Sequence, residues 1–235
     1  MAGEAERLAG LLKELESDRG YASGRRTFPR TLDPADATTI TARLGDAVDE
    51  GVDTRGRKAA ADGVHIACAP GCAACCEQLV MVWLPEALRV FELLSQPENA
   101  TARERFLAAY PAWREAMGSA PAEVADLTAR GKVAEHTQAL LAAWRKRVVC
   151  AFNHEGLCGV YAARPNICRA HHALDDAERC RGDSPVPARS LAFEPLDRFL
   201  KRAGSVNAAM HHALGGPRQK TVALCEAVYG LLTSR

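Results

Sequence analysis

The residues with the most chemical content are nine cysteines, eight of which fall into two stretches. Cys68, Cys72, Cys75 and Cys76 lie together in CAPGCAACC, and Cys150, Cys158, Cys168 and Cys180 follow after a long interval, separated by 7, 9 and 11 residues. Thiolates are soft donors that suit zinc and iron–sulfur clusters, and four of them within nine residues let one tight turn aim several sulfurs at a single point. Pro70-Gly71 supplies the turn. The second set is spaced too widely to converge locally but suits a loop folded back over the same centre, so the two stretches are expected to meet in space. Burial as small apolar side chains is the competing account of free cysteine. It suits Cys225, alone on the apolar face of the last helical segment, which is left out of the site. It suits the other eight poorly, because Cys75 and Cys76 are adjacent and the second set lies among Gly156, Gly159, Pro165, Gly182, Pro185 and Pro187.

The redox setting agrees with metal ligation. The start of the chain, MAGEAERLAG, has no basic segment leading into an apolar one, so a cytoplasmic protein is expected, and there thiols stay reduced. An odd cysteine total also argues against a disulfide framework. Thirty basic and 29 acidic side chains among 235 residues leave a net charge of +1, which gives no electrostatic ground for coating nucleic acid or a membrane. No apolar run is longer than Leu79 to Leu84, far below the roughly 20 residues that cross a bilayer. Partners are therefore expected to be a protein or a small molecule, with no nucleic acid and no membrane.

Three chemistries compete for the thiols. One is an iron–sulfur cluster used for redox or catalysis; another is a zinc-stapled helical module that binds a partner protein without catalysis. The third is a thiol switch at Cys75-Cys76, which needs exposed thiolates of low pKa. Cys68, Cys72 and Cys75 also reproduce the CxxxCxxC spacing of radical SAM enzymes. Their helical flanks and Ala74, where such enzymes usually carry an aromatic, argue against that chemistry. No Walker A loop, GxGxxG, GxSxG or HExxH occurs, and the residues name no reaction. His65, His154, His171 and His172 lie near the cysteines, and of these His171 and His172 follow Cys168 most closely; His136, His211 and His212 receive no role. Glu77, Glu86, Asp175 and Asp176 are close enough in sequence to serve as ligands or bases, although such carboxylates are more often solvated.

The elements that must position these groups read as helices. Leu8, Leu11, Leu12 and Leu15 form one stripe, with Gly20 and Gly24 in the loop beyond. Asp33-Pro34 opens a second helix whose face holds Ile40, Leu44, Ala47 and Val48 as far as Gly51, and Gly51 to Asp62 reads as an exposed, charged connector. Leu88, Phe91 and Leu94 mark one further helix, and Phe106, Tyr110, Trp113 and Met117 mark another. A third runs from Glu123 to Arg147 with a break near Gly131, and Arg145, Lys146 and Arg147 form its solvated end. After the irregular stretch from Cys150 to Pro187, Leu196, Phe199, Leu200, Val206 and Met210, then Val222, Leu224, Val228 and Leu231, restore the helical pattern. The fold class expected is mainly α, a helical single domain around a cysteine-rich, loop-rich metal-binding centre. Residues 1–62 are N-terminal helices packing on the core, 63–184 the cysteine-cluster region, and 185–235 the C-terminal helices of the same domain.

Together CAPGCAACC, VMVWLPE (Val80 to Glu86), CAFNHEGLCGVYAARPNICR and the further Cys180 resemble the YkgJ-type cysteine-cluster proteins, described as a zinc- or iron-chelating domain, over about residues 65 to 182. The resemblance implies that all eight cysteines are metal ligands for an iron–sulfur cluster or zinc. It also implies that Tyr161, Arg164, Pro165 and Arg169 support the site, with Tyr161, Arg164 and Arg169 as cofactor-binding residues. A similar cluster in flagellin lysine N-methylases implies an iron–sulfur centre and, by analogy, redox or methyl-transfer chemistry. In this chain His171-His172 stand where that pattern more often has an aromatic. Four thiolates around one Zn²⁺ sum to about −2, so Arg164 and Arg169 are placed to offset buried negative charge.

Overall fold

The computed structural model describes residues 2–17, 31–69, 71–174, 176–186, 188–189, 194–216 and 221–234. Its helices are α1 (Ala2–Ser17), α2 (Pro34–Ala61), α3 (Leu84–Ser95), α4 (Ala100–Met117), α5 (Ala120–Ala129), α6 (Val133–Arg145), α7 (Asn166–Ala170), α8 (Glu194–Ala213) and α9 (Leu224–Thr233). Short strands β1 (Met81–Val82), β2 (Asn153–His154), β3 (Leu157–Cys158) and β4 (Val222–Ala223) complete it. The mainly α class expected from the periodicity is what the chain forms. Among the described residues no helix is long and apolar enough to cross a membrane.

Helix α2 begins where Asp33 Oδ1 accepts from the Ala35 amide at 2.8 Å, with Pro34 in the first turn, where its missing N–H removes no helical bond. The helix does not stop at Gly51, which corrects the connector expected over 51–62. Val52 and Ala59 continue the buried stripe of Val48 and pack with Val64, Ile66, Ala170 and Leu174. That burial outweighs the roughly 1 kcal/mol that each of Gly51 and Gly56 costs in a helix. Ile40 and Leu44 on the preceding turns join Leu11 and Leu15 of α1 and Ala203, Val206 and Met210 of α8, so helices from both ends of the chain share one apolar cluster. Leu8, Leu196 and Phe199 belong to these helices with side chains outside the described set, as are Gly20 and Gly24 altogether.

The largest cluster joins Val82, Val90, Leu94, Phe106, Met117, Val124, Phe152 and Val228. The face that α3 buries is Ala87, Val90 and Leu94; Leu88 and Phe91 are only partly covered. Of the stripe read from the sequence on α4, Phe106, Trp113 and Met117 are buried and Tyr110 is partly covered. The break near Gly131 is a turn between α5 and α6 with Gly131 at φ +67°, a conformation that glycine adopts without steric cost. Pairing of β1 with β4, Met81 opposite Ala223 and Val82 opposite Val222, ties α9 to the chain just after the first cysteine stretch. Periodicity gave no sign of this bridge. Nor is His211 without a role: it is buried, and its Nδ1 accepts the Leu84 amide at 3.2 Å at the start of α3.

Arg145, Lys146 and Arg147 are not simply a solvated helix end. Lys146 Nζ donates to the Met117 carbonyl at 2.7 Å, fixing α6 against the end of α4, and Arg147 reaches the carboxylates of Asp183 and Glu77.

Candidate metal centre

The first cysteine stretch folds as a turn followed by a 3₁₀ segment, Ala74–Glu77. Gly71 sits at φ +89°, while Pro70, its partner in the expected turn, lies outside the described residues. Three residues per turn in a 3₁₀ helix place successive side chains about 120° apart, so Cys75 and Cys76 leave the backbone in different directions.

The second stretch is brought to the first by backbone contacts. The Cys150 amide donates to the Cys76 carbonyl at 2.8 Å, and farther along the Ala67 amide donates to the Ala173 carbonyl at 2.9 Å. Between them lies the hairpin of β2 and β3, which pairs Asn153 with Cys158 and His154 with Leu157. Its two turn residues, Glu155 and Gly156, both have positive φ, the combination that matches hairpin twist. Asn153 Oδ1 accepts the Gly156 amide at 3.1 Å, and its Nδ2 donates to Cys76 Sγ at 3.5 Å, so the hairpin tip orients one of the thiols. Phe152, stacked on Phe106 of α4 at 4.1 Å between centroids, anchors the same loop in the core.

Gly156 has a second constraint: a Cβ there would lie 2.8 Å from the Gly71 carbonyl oxygen. Gly156→Ala is therefore expected to push the hairpin off the CAPGC turn, costing about 1–3 kcal/mol from strain and lost turn geometry. Metal content should fall with it, whereas alanine at Gly204, which faces open space inside α8, should leave metal content unchanged and raise stability by up to about 1 kcal/mol. Thermal melts and metal analysis of the two variants check this.

Two ionic hubs hold the frame. Asp49 of α2 binds Arg164 at 2.9 Å through one oxygen and Arg169 through the other. Arg169, buried in α7, also donates to the carbonyls of Arg164 and Ala162 at 2.8 and 2.7 Å, and its guanidinium fits because α2 presents Gly45 opposite it. Arg164 lies over the Tyr161 ring, 3.7 Å from its centroid, and Tyr161 itself is exposed. These three residues thus build the loop that carries Cys168; the two arginines are engaged by Asp49. Glu77, directly after Cys76, is buried and receives Arg181 at 3.0 Å and Arg147 at 3.5 Å on Oε1. Glu86 is buried as well: Oε1 accepts the Asn166 amide at 3.1 Å and Oε2 the Trp83 amide at 3.4 Å, so it organises α3 and α7. Asp176 caps the 3₁₀ turn Ala177–Cys180 through the Glu178 amide, and Asp175 lies outside the described residues.

Half of the chain matches one family. A family model, CxxCxxCC, described as a candidate zinc- or iron-chelating domain, spans residues 67–184. The chain belongs to the CxxCxxCC family. Neither the curated proteins nor the solved structures offer a match. The match contains all eight candidate ligands, and this CxxCxxCC domain carries one residue more between its first two cysteines than the family's name spells, the segment Ala69-Pro70-Gly71.

The donor set of this CxxCxxCC domain suits a soft metal. All nine cysteines are free thiols, and the site contributes eight of them on turns and short elements. Among the described residues no three His, Cys, Asp or Glu side chains are drawn together tightly enough to enclose an ion as they stand. The thiols instead form two loose groups. Cys68, Cys72 and Cys180 pack with Ala67, Ala74, Ala173 and Ala188, and the Ala173 amide donates to Cys68 Sγ at 3.3 Å. Cys150 and Cys158 pack on the main core beside Cys225.

Electrostatics follows this placement. A hydrogen bond from the Cys75 thiol, helped by Asn153, lowers Cys76 to about 7 against the effect of burial. The same bond to Cys76, together with burial, pushes Cys75 far upward, with the charges of Cys168 and Cys68 adding to it. Burial pushes Cys158 to about 11, and burial followed by the charges of Cys150, Cys158 and Cys76 raises Cys168. A bound cation reverses this cost, since coordinated thiols are held as thiolates.

Cys225, left out on sequence grounds, lies with its sulfur 3.8 Å from that of Cys150. Burial, then the bond to Cys150, raises its pKa strongly, and either sulfur can be the donor in that contact. Its place on the apolar face of the last helix marked it as a core residue; nothing in its spacing announced a thiol partner 75 positions away.

The histidines stand at the edge. His171 Nε2 is 3.5 Å from Gln78 Nε2, and His172 is partly buried with Nδ1 unpartnered. Burial lowers the pKa of both, which keeps their rings neutral near pH 7. His65 and His154 are exposed.

Proposed function

We propose that this protein is a holder of zinc or an iron–sulfur cluster, with Cys68, Cys72, Cys75, Cys76, Cys150, Cys158, Cys168 and Cys180 as the metal-binding thiols. The observation that carries this reading is the meeting of the two cysteine stretches at the Cys76–Cys150 backbone contact, with thiols from both sides around it. The bound group would supply soft Lewis-acid or one-electron chemistry, and the chain's part is to position sulfur, exclude water and offset charge. Redox or methyl-transfer-related chemistry rests on the analogy of the cysteine cluster alone. We place the protein in the cytoplasm, with a protein or small-molecule partner rather than nucleic acid or membrane.

A second reading is a zinc-stapled interaction module without catalysis. It is supported by the position of the cysteines at seams between loops, where an ion adds folding energy.

Anaerobic purification followed by zinc, iron and sulfide quantification tests both. Brown protein with broad visible absorbance that bleaches on reduction supports the cluster; stoichiometric zinc without iron or sulfide supports the staple. Protein that neither carries nor takes up metal overturns both readings. Protons compete with metal for thiolates, so affinity should fall as pH drops from about 8 to about 6, through the Cys76 value, and recover on return.

A further inference from the structure

We propose that the eight thiols divide between two metal centres, Cys68, Cys72, Cys75 and Cys180 in one and Cys76, Cys150, Cys158 and Cys168 in the other. This inference rests on the metal-holding reading above and adds the number and composition of the centres.

The geometry divides the thiols at the 3₁₀ segment. Cys68, Cys72 and Cys180 share a small apolar cluster built on Ala74 and Ala173. Cys150 and Cys158 lie instead against the main core, beside Cys225. Cys76 belongs with them, since its carbonyl holds the Cys150 amide and its sulfur takes the amide of Asn153, the residue paired with Cys158. Cys75 and Cys76 leave the 3₁₀ turn in directions about 120° apart, yet their sulfurs still touch through the bond that the Cys75 thiol donates to Cys76. The doubled cysteine is therefore where the two groups touch, with Cys76 held on the Cys150 side. Cys75 lies at the seam, and its sulfur completes the group that otherwise holds three thiols.

Each group then contains one pair of stretches rather than one stretch. Cys180 from the end of the match joins Cys68 and Cys72 from its beginning, through the contact of two 3₁₀ turns, Ala74–Glu77 and Ala177–Cys180. Four thiolates are the complement of one tetrahedral zinc or of one cluster. Each group also has an N–H donor aimed at a sulfur, such as Ala173 N on Cys68 and Asn153 Nδ2 on Cys76, the kind of bond that steadies a ligating thiolate.

Cys180→Ser, Cys158→Ser and the double variant, purified anaerobically beside the parent, test the division by metal and sulfide content per chain. Each single variant should keep about half of the parent's metal and the double variant none. If either single variant loses all metal while circular dichroism shows a folded chain, one shared centre exists and the proposal is overturned. Should a variant fail to fold, titration of Co²⁺ into the metal-free parent decides: sulfur-to-cobalt absorption rising to about two ions per chain supports two centres, and saturation at one overturns them. A parent that binds no metal in either experiment overturns the metal-holding reading itself, a result distinct from a parent that binds at a single centre.

Discussion

Cys168→Ser is expected to weaken metal binding by more than about a hundredfold, since even partners of the ligands, one layer out, are worth 10–100-fold. The thiol sits on α7, where Arg169 is fixed by Asp49 and two carbonyls, so the backbone cannot shift to bring a shorter, harder oxygen donor to the same point. Its sulfur is within electrostatic reach of Cys150, Cys158 and Cys76, the thiols it is proposed to join. Cys225→Ser should behave differently. The buried Cys225 meets Cys150 through a contact that a serine hydroxyl can also make, so metal content should match the parent. Competition with a chromophoric chelator measures both. Equal metal affinity in the two variants would remove Cys168 from the ligand set.

Arg169→Met is the substitution expected to cost most in stability away from the thiols, about 3–5 kcal/mol. Methionine fills a comparable space beside Gly45 but strands the carbonyls of Arg164 and Ala162 and leaves Asp49 with only Arg164. The partial exposure of Asp49 holds the expected loss toward the lower end of that range. For a chain of this size such a loss lowers the melting temperature by roughly 6–12 °C. Arg169→Lys should recover little, because one ammonium cannot satisfy a carboxylate and two carbonyls in the planar array that guanidinium presents. A melting temperature within a degree or two of the parent would contradict the role given to this hub.

Much of this arrangement is legible in local pattern. Stripes at three and four residues located the helices because each buries a continuous apolar face, and the doubled cysteine marked the centre because no packing role explains adjacent thiols. What escaped is non-local or concealed by composition. Val52 and Ala59 are too sparse among Arg55, Arg57 and Lys58 to look like a buried stripe, so α2 seemed to end early. Met81–Val82 and Val222–Ala223 are strands only because each supplies the other's ladder, and two residues carry no period. Asp49 looks like any other helix-surface acid until α7 and the turn before it bring Arg169 and Arg164 to it. Glu77 likewise gave no local sign that Arg147 and Arg181 would converge on one of its oxygens.

The stacking of Phe152 on Phe106 and the Cys76–Cys150 contact also bear on how an ion is taken up and given back. Bringing together the ends of a flexible segment of roughly 70 residues costs about 4 kcal/mol in chain entropy. Here α3 to α6 fill that segment, and their packing meets the cost before any ligand arrives. Affinity then reflects bond formation with little spent on ordering the chain, and exchange of the ion can proceed with the helical scaffold still assembled.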